Sequence, residues 1–353
     1  MLTCVENDHH PILQNPFLPT NLKTRNKTMI NKFFKRVVRF GAVLGLGLAM
    51  TMPALAAFPE KPIRLVVPFP PGGGVDSIAR ALGTAMSQRL GQSIVIDNKP
   101  GAGTIIGTDA VARSPADGYT LVLASFAHAV NPSLVAKLPY STDTGFAPII
   151  LIGRGPNVLV VRADSPYKTV ADVLVAAQSK PGALTYASQG NGTSAHLAGE
   201  MFVNLAKVEM THIPYKGVSG AITDIIGGRV DIMFATSSAV SSLLSNGKLR
   251  ALAVTTPQRS PAFKGMPAVA ETVPGYSVES WYGLYAPAGT PANVIAKLNE
   301  SAKAASQTEA FRRNLQQEGV VVSAGSPEEL NAYVRGEEAR WRKVVETNKI
   351  KID

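Results

Sequence analysis

The stretch Ile63–Arg80, IRLVVPFPPGGGVDSIAR, constrains what this chain can fold into more than any other segment. Ile63, Leu65, Val66 and Val67 form a short β-rich apolar run of the kind buried on both faces of a sheet. Pro68, Pro70 and Pro71 stop it, because proline cannot keep donating to a ladder. Gly72, Gly73 and Gly74 then allow the backbone to approach a guest closely. From Asp76 onward Ile78, Leu82, Ala85 and Met86 recur at helical spacing, with the acidic Asp76 in the favourable first turn. Strand, glycine turn and helix start together put free N–H groups and a positive dipole end at one point, which is an anion site. No Gly-Lys-Ser/Thr follows, so the turn is not a P-loop.

The start of the chain reads as a leader. Lys32, Lys35, Arg36 and Arg39 precede the apolar run Phe40–Met52, and Ala54-Leu55-Ala56 follows. That order describes a secretory signal peptide cleaved between Ala56 and Ala57, and the apolar run is short for a membrane span. Met29 is the more natural start. The leader over 1–56 takes seven basic and two acidic residues with it, leaving 28 against 23 and a net charge of +5 rather than +10. So small a surplus suits weak attraction for anions, not a nucleic-acid surface. Cys4, the only cysteine, is lost as well, and with it any disulfide or thiol nucleophile.

Strands alternate with helices of about ten residues along the rest, which predicts βαβ units and mainly parallel sheets in an α/β fold. Expected strands include Ser93–Asp97, Tyr119–Ala124, Ala147–Ile152, Val158–Val161, Leu184–Ala187, Met210–Ile213 and Val230–Phe234. A loop over Ser125–His128 precedes a helix from Asn131 to Leu138, and Gly101–Arg113 reads as a glycine-led helix packed closely on the sheet. Thr169–Asp172 and Ser326–Glu329 are capping boxes, and Trp341 belongs on the inner face of the last helix. Glycine turns at helix starts fall in two groups, near 72–76 and near 188–220, which points to two lobes facing a shared cleft at the carboxyl ends of their strands.

The polar turn Ser188–Ser194 carries small residues with backbone and side-chain donors. Thr193 or Ser194 could instead cap the following helix, and both readings can hold together. There is no GxSxG elbow and no HExxH, and His128, His196 and His212 are scattered along the chain. Neither a metal nor a cofactor is implied.

FPEKPIRLVVPFPPGGGVDSIAR, IVIDNKPGAGTIIGTDAVARSPADGYTL and NPSLVAKLPYSTDTGFAPI resemble the Bug family, the extracytoplasmic solute receptors of tripartite tricarboxylate transporters. HIPYKGVSGAITDIIGGRVDIMF, GKLRALAVTTPQRSPAF and SWYGLYAPAGTPANVIAKLN extend the resemblance over 57–353. It implies a type 2 periplasmic-binding-protein fold, with lobe one over 57–158 and 281–353 and lobe two over 159–280. It also implies a monomeric periplasmic receptor that delivers a small organic carboxylate to the transporter's membrane subunits. By resemblance the ligand site takes in Pro70, Pro71, Gly72, Gly73 and Gly74, then Ser125, Phe126 and Ala127, and Gly192, Thr193 and Ser194 from the opposite lobe; Asp76, Ser188, Ala235 and Thr236 are expected at the site beside them.

Many relatives carry Asp-Asn after the strand ending in Met233-Phe234, where this chain has Ala235 and Thr236. Without that carboxylate an amino acid would bury its ammonium unpaired, which is costly, so an acid lacking an amine is expected. Phe126 would admit an aromatic or partly apolar acid. The rival readings are a ligand-dependent periplasmic sensor on the same fold and an exported hydrolase.

Overall fold

The computed structural model describes residues 58–350, apart from 318 and 349. The expected leader lies outside the described residues. In chain order the elements are β1 (Ile63–Val67), α1 (Gly74–Leu90), β2 (Ile94–Asn98), α2 (Ile105–Ala112), β3 (Thr120–Ser125), α3 (Phe126–Leu134) and β4 (Phe146–Arg162). Next come α4 (Val170–Ser179), β5 (Thr185–Ser188), α5 (Ser194–Ala206), β6 (Thr211–Pro214), α6 (Val218–Ile226), β7 (Ile232–Thr236), α7 (Ser237–Ser245) and β8 (Leu249–Val254). The chain ends with β9 (Glu279–Pro287), α8 (Ala292–Gln307), α9 (Glu309–Gln317), β10 (Val321–Val322) and α10 (Pro327–Asn348).

The strands run in the order β2-β1-β3-β9-β4-β7-β5-β6, with β8 and β10 also paired to β4. β2-β1-β3 and β7-β5-β6 are parallel, as the alternation predicts. Between them β9 and β4 run antiparallel to their neighbours, which the alternation does not show. The two strands expected at Ala147–Ile152 and Val158–Val161 are one strand, β4. Its first half pairs with β9, from Phe146↔Pro287 to Pro156↔Glu279, and its second half with β7 and β8. Gly153 and Gly155, the break in the apolar pattern, let the segment around β10 approach: a Cβ at Gly153 would lie 2.6 Å from the Val321 carbonyl oxygen.

Alternation fixes which face each strand buries. Ile63, Leu65 and Val67 of β1 pack with Ile78, Leu82 and Met86 of α1, whereas Val66 faces the other core. Both expected capping boxes form. Asp172 N–H donates to Thr169 Oγ1 at 3.1 Å and Asp172 Oδ2 accepts from Thr169 N–H at 2.9 Å. Glu329 N–H and Ser326 N–H make the equivalent pair. Trp341 is fully buried, as expected, and its ring meets Phe126 edge-on at 4.8 Å.

Two local expectations are corrected. The helix expected over Gly101–Arg113 begins at Ile105, because Gly101, Ala102, Gly103 and Thr104 hold φ of 135, 47, 59 and 80° and cannot be right-handed helix. The loop expected over Ser125–His128 does not form: Ser125 ends β3, and α3 follows without a break from Phe126 and ends at Leu134, short of the expected Leu138. The close packing of the second helix on the sheet does hold, at Gly107: a Cβ there would lie 2.6 Å from the Lys99 carbonyl oxygen and 3.1 Å from Pro68 Cα. Both neighbours are backbone and give way reluctantly. Gly107→Ala is therefore expected to cost about 1–3 kcal/mol, measured as a lower urea midpoint with an unchanged slope; a wild-type midpoint would mean the backbone relaxes freely.

Candidate binding cleft

A cleft of about 270 Å³ opens at the carboxyl ends of β1, β3 and β7. Five residues of its lining, Gly73, Ser125, Thr193, Gly217 and Thr236, are the N-caps of α1, α3, α5, α6 and α7. None of the five uses its own side chain to satisfy its helix. Every such end leaves backbone N–H groups without helical partners and carries about half a positive charge. The helix-cap alternative for Thr193 is thus corrected: its hydroxyl donates back to the Gly190 carbonyl oxygen at 2.7 Å.

Of the residues expected at the site, Pro70, Pro71, Gly73, Gly74, Ser125, Phe126, Ala127, Thr193, Ser194 and Thr236 line this cleft. Gly72, Asp76, Ser188, Gly192 and Ala235 do not. Asp76 is buried beneath the glycine turn, where its carboxylate accepts from Gly72 N–H, Arg80 Nε and Asn98 Nδ2, each at 2.9 Å. Burial alone would raise its pKa, but those bonds hold it below the usual carboxylate range. Asp76 thus shapes the turn and does not face the cleft. Gly192 spends its N–H on His196 Nδ1 at 3.3 Å. Ala235 points into the core with Val158 and Met233, as alternation from Thr236 requires. Phe126 is only 2% exposed and its ring faces Trp341, so it does little to select an aromatic acid.

Sequence reasoning missed Phe69, Gln189, Tyr215, Lys216, Ser280 and Tyr282, all of which line the cleft. The signal for the loop after β6 was there, since Met210–Gly220 repeats the strand, glycine turn and helix start of the opening unit. Ser280 and Tyr282 carry no local signal; they reach the cleft because β9 crosses it. Among the described residues Lys216 is the one charged residue in the lining, and no acidic residue joins it. Gln189 Oε1 is buried without a hydrogen-bond partner among the described residues. A second chamber of about 380 Å³ shares Phe69, Pro70, Gln189, Thr193, Tyr215 and Lys216 with the first.

The family profile described as "Tripartite tricarboxylate transporter family receptor" (TctC) matches residues 78–350. The chain belongs to that receptor family. It is 40% identical over 308 residues to a protein of the tcbD–tcbE intergenic region of Pseudomonas sp. strain P51, over 85% of this chain and 92% of that one. It is 34% identical over 316 residues to BugT of Bordetella pertussis, over 88% and 97% of the two chains. Among solved structures, an R. palustris protein with adipate matches at a TM-score of 0.80 and 37% identity, over 83% of this chain and 99% of that one. MatC from Rhodopseudomonas palustris with bound malate matches at 0.78 and 32% identity, over 82% and 100%. The expected receptor fold, two α/β lobes about a central cleft, and the resemblance to the Bug proteins are borne out.

In this receptor two of the scattered histidines come together. The His196 and His212 rings stack 4.3 Å apart beneath the polar turn, and Tyr186 stacks on His212 at 4.8 Å. Ser188 Oγ lies 2.7 Å from His212 Nε2, but both residues lie outside the cleft lining. Burial pushes His196 down to about 3, with His212 adding to the shift, and pushes His212 down to about 4. His128 is buried beside Tyr140, Phe146 and Tyr285 with both ring nitrogens unpartnered among the described residues, and burial pushes it down to about 4.

All three histidines are therefore neutral in the fold, whereas the unfolded chain protonates each near the ordinary imidazole value of 6.5. Their contribution is fully present above that pH. It is lost as pH falls from there toward 4, by up to about 1.4 kcal/mol per pH unit for each group. His128→Phe removes one such group without breaking a hydrogen bond. Urea melts at pH 7 and pH 5 should show the variant gaining on wild type as pH falls; the same difference at both pH values would rule His128 out.

Proposed function

We propose that the chain is a monomeric periplasmic receptor, not an enzyme, that captures a small organic carboxylate lacking an amine and hands it to the membrane subunits of a tripartite tricarboxylate-type transporter. A leader over 1–56 that includes a signal peptide would export it. Lobe one comprises 57–158 and 281–353, and lobe two 159–280. The observation that carries this reading is the convergence of five N-caps without side-chain caps on one cleft. Two come from lobe one and three from lobe two, so an anion touching both sets holds the lobes together. Each charge-assisted bond from such donors is worth about 1.5–3 kcal/mol.

The chemistry of the lining supports an acid without an ammonium group. Among the described residues the lining holds no carboxylate to pair an ammonium, and Lys216 would oppose one. Adipate and malate in the two solved relatives agree with this class of ligand. A thermal-shift screen over di- and tricarboxylates, aromatic acids and amino acids tests it. A true ligand at about 100 times its Kd adds about 2.7 kcal/mol of stability. Stabilisation by an amino acid alone would contradict the reading.

Across the cleft the lobes are already in contact. A Cβ at Gly74 would lie 1.8 Å from Ser238 Oγ and 2.3 Å from Ser238 Cβ, and one at Gly217 would lie 3.1 Å from Pro70 Cγ. Closure to this distance leaves no room for a side chain at Gly74, and closure is what couples affinity to both lobes. Gly74→Ala should weaken binding of the ligand found in that screen by at least about tenfold, roughly 1.4 kcal/mol, while the ligand-free protein melts within a degree or two of wild type. Calorimetric titration at wild-type affinity would remove this contact from closure.

A further inference from the structure

A group of polar side chains sits where β4, β7, β9 and the first turn of α5 meet. Asn157 and Thr255 are 0% exposed, and Ser194 and Ser280 are 3 and 4% exposed, yet both serines also line the cleft. Asn157 is held from its backbone. Its N–H donates to Thr255 Oγ1 at 2.7 Å, its carbonyl accepts from Thr255 N–H at 2.9 Å, and Thr255 Oγ1 donates to the Val278 carbonyl at 2.6 Å. Three separate passages of the chain thus fix where the amide points.

Donor and acceptor chemistry then fixes the protons. Asn157 Nδ2 lies 2.7 Å from the Phe234 carbonyl, which only accepts, so the nitrogen must face it and Oδ1 must face Ser280. Oδ1 also only accepts, so Ser280 commits its single hydroxyl proton there, at 3.0 Å. The other Nδ2 hydrogen goes to Ser194 Oγ at 3.1 Å. Ser194 and Ser280 Oγ atoms are 2.8 Å apart, and with the Ser280 proton committed that contact is made by the proton of Ser194. A carboxylate in the cleft competes for this proton with a charge-assisted bond about twice as strong as the neutral one.

We infer that Asn157 is a positioning residue for ligand capture, orienting Ser194 so that its hydroxyl proton is offered to an acid group in the cleft. The donors then run in one direction, from Ser280 to Asn157 to Ser194 to ligand, and each bond polarises the next. Asn157 lies on the strand that passes from one lobe to the other, so the proton is presented from the crossing itself. This rests on the carboxylate-receptor reading.

A double-mutant cycle read by calorimetric titration with adipate and with malate tests it. Ser194→Ala and Asn157→Leu should each weaken binding at least about tenfold, and the double variant should bind no more weakly than Ser194→Ala. A merely structural Asn157 would lower affinity by the same factor in both backgrounds, and that result overturns the inference. So does wild-type affinity in Asn157→Leu. Should Asn157→Leu fail to fold, Ser280→Ala carries the test, with a loss of about two- to fivefold in the wild-type background and none in the Ser194→Ala background. A loss in both backgrounds overturns it equally. If neither acid, nor any other carboxylate of the screen, binds wild type, the receptor reading itself fails and takes the inference with it.

Discussion

Five helix N-termini aimed into one cleft attract an anion without any buried cation, and much of the molecule's design follows from that. A buried Arg or Lys would be left unpaired whenever the ligand departs, at a cost of several kcal/mol. Backbone N–H groups at helix ends can be hydrated in the empty cleft and exchange water for ligand oxygen at little net cost. The empty and filled states are then close enough in energy for capture and release to be reversible, which a carrier needs. Lys216 fits the same logic, because it lies exposed at the cleft and adds attraction without first losing its hydration.

For five helices to start at one place, the strands before them must end there. The two parallel triads β2-β1-β3 and β7-β5-β6 supply those ends. β9 and β4 join the triads by running antiparallel between them. Several buried contacts keep the starts in position without touching the cleft. Asp76 ties Gly72 to Arg80 and Asn98 beneath the first turn. Trp341 packs on Phe126 at the start of α3, and its Nε1 donates to Glu337 Oε2 at 3.0 Å. His196 accepts from the Gly192 N–H behind the polar turn. Each residue is conspicuous in sequence for its chemistry, and each serves the geometry of a neighbour.

That explains which parts of the site could be read from sequence. Pro70–Gly74, Ser125–Ala127 and Thr193-Ser194 are local signals: a strand stop, a turn and a helix start within a few residues. Asp76 was misplaced because an acid in the first turn of a helix looks the same whether it faces a ligand or braces its own turn. Ala235 was misplaced by one residue, which on a strand means the opposite face. Ser280 and Tyr282 were invisible because only the antiparallel return of β9 brings them to the cleft, across more than 80 residues from Ser194. The single strand β4 reads as two because Gly153, Gly155 and Pro156 interrupt its apolar run, although the two glycines are there to admit the segment around β10.

The polar group at the crossing is the part least explained by stability. Burying an amide and three hydroxyls is acceptable only when every donor and acceptor is matched, and an apolar core of the same shape would serve the fold as well. Asn157 and Thr255 are matched almost completely from within the protein. Ser194 is the member whose proton has a second acceptor available, and it is also the member at the cleft wall. A network satisfied at its buried end and adjustable at its open end is suited to transmitting occupancy. When an anion takes the Ser194 proton, the bond released is the one to Ser280 on β9, while the bonds that hold Asn157 on β4 stay in place. Ligand capture would then redistribute hydrogen bonding between β9 and β4, the antiparallel pair that lies between the two parallel triads.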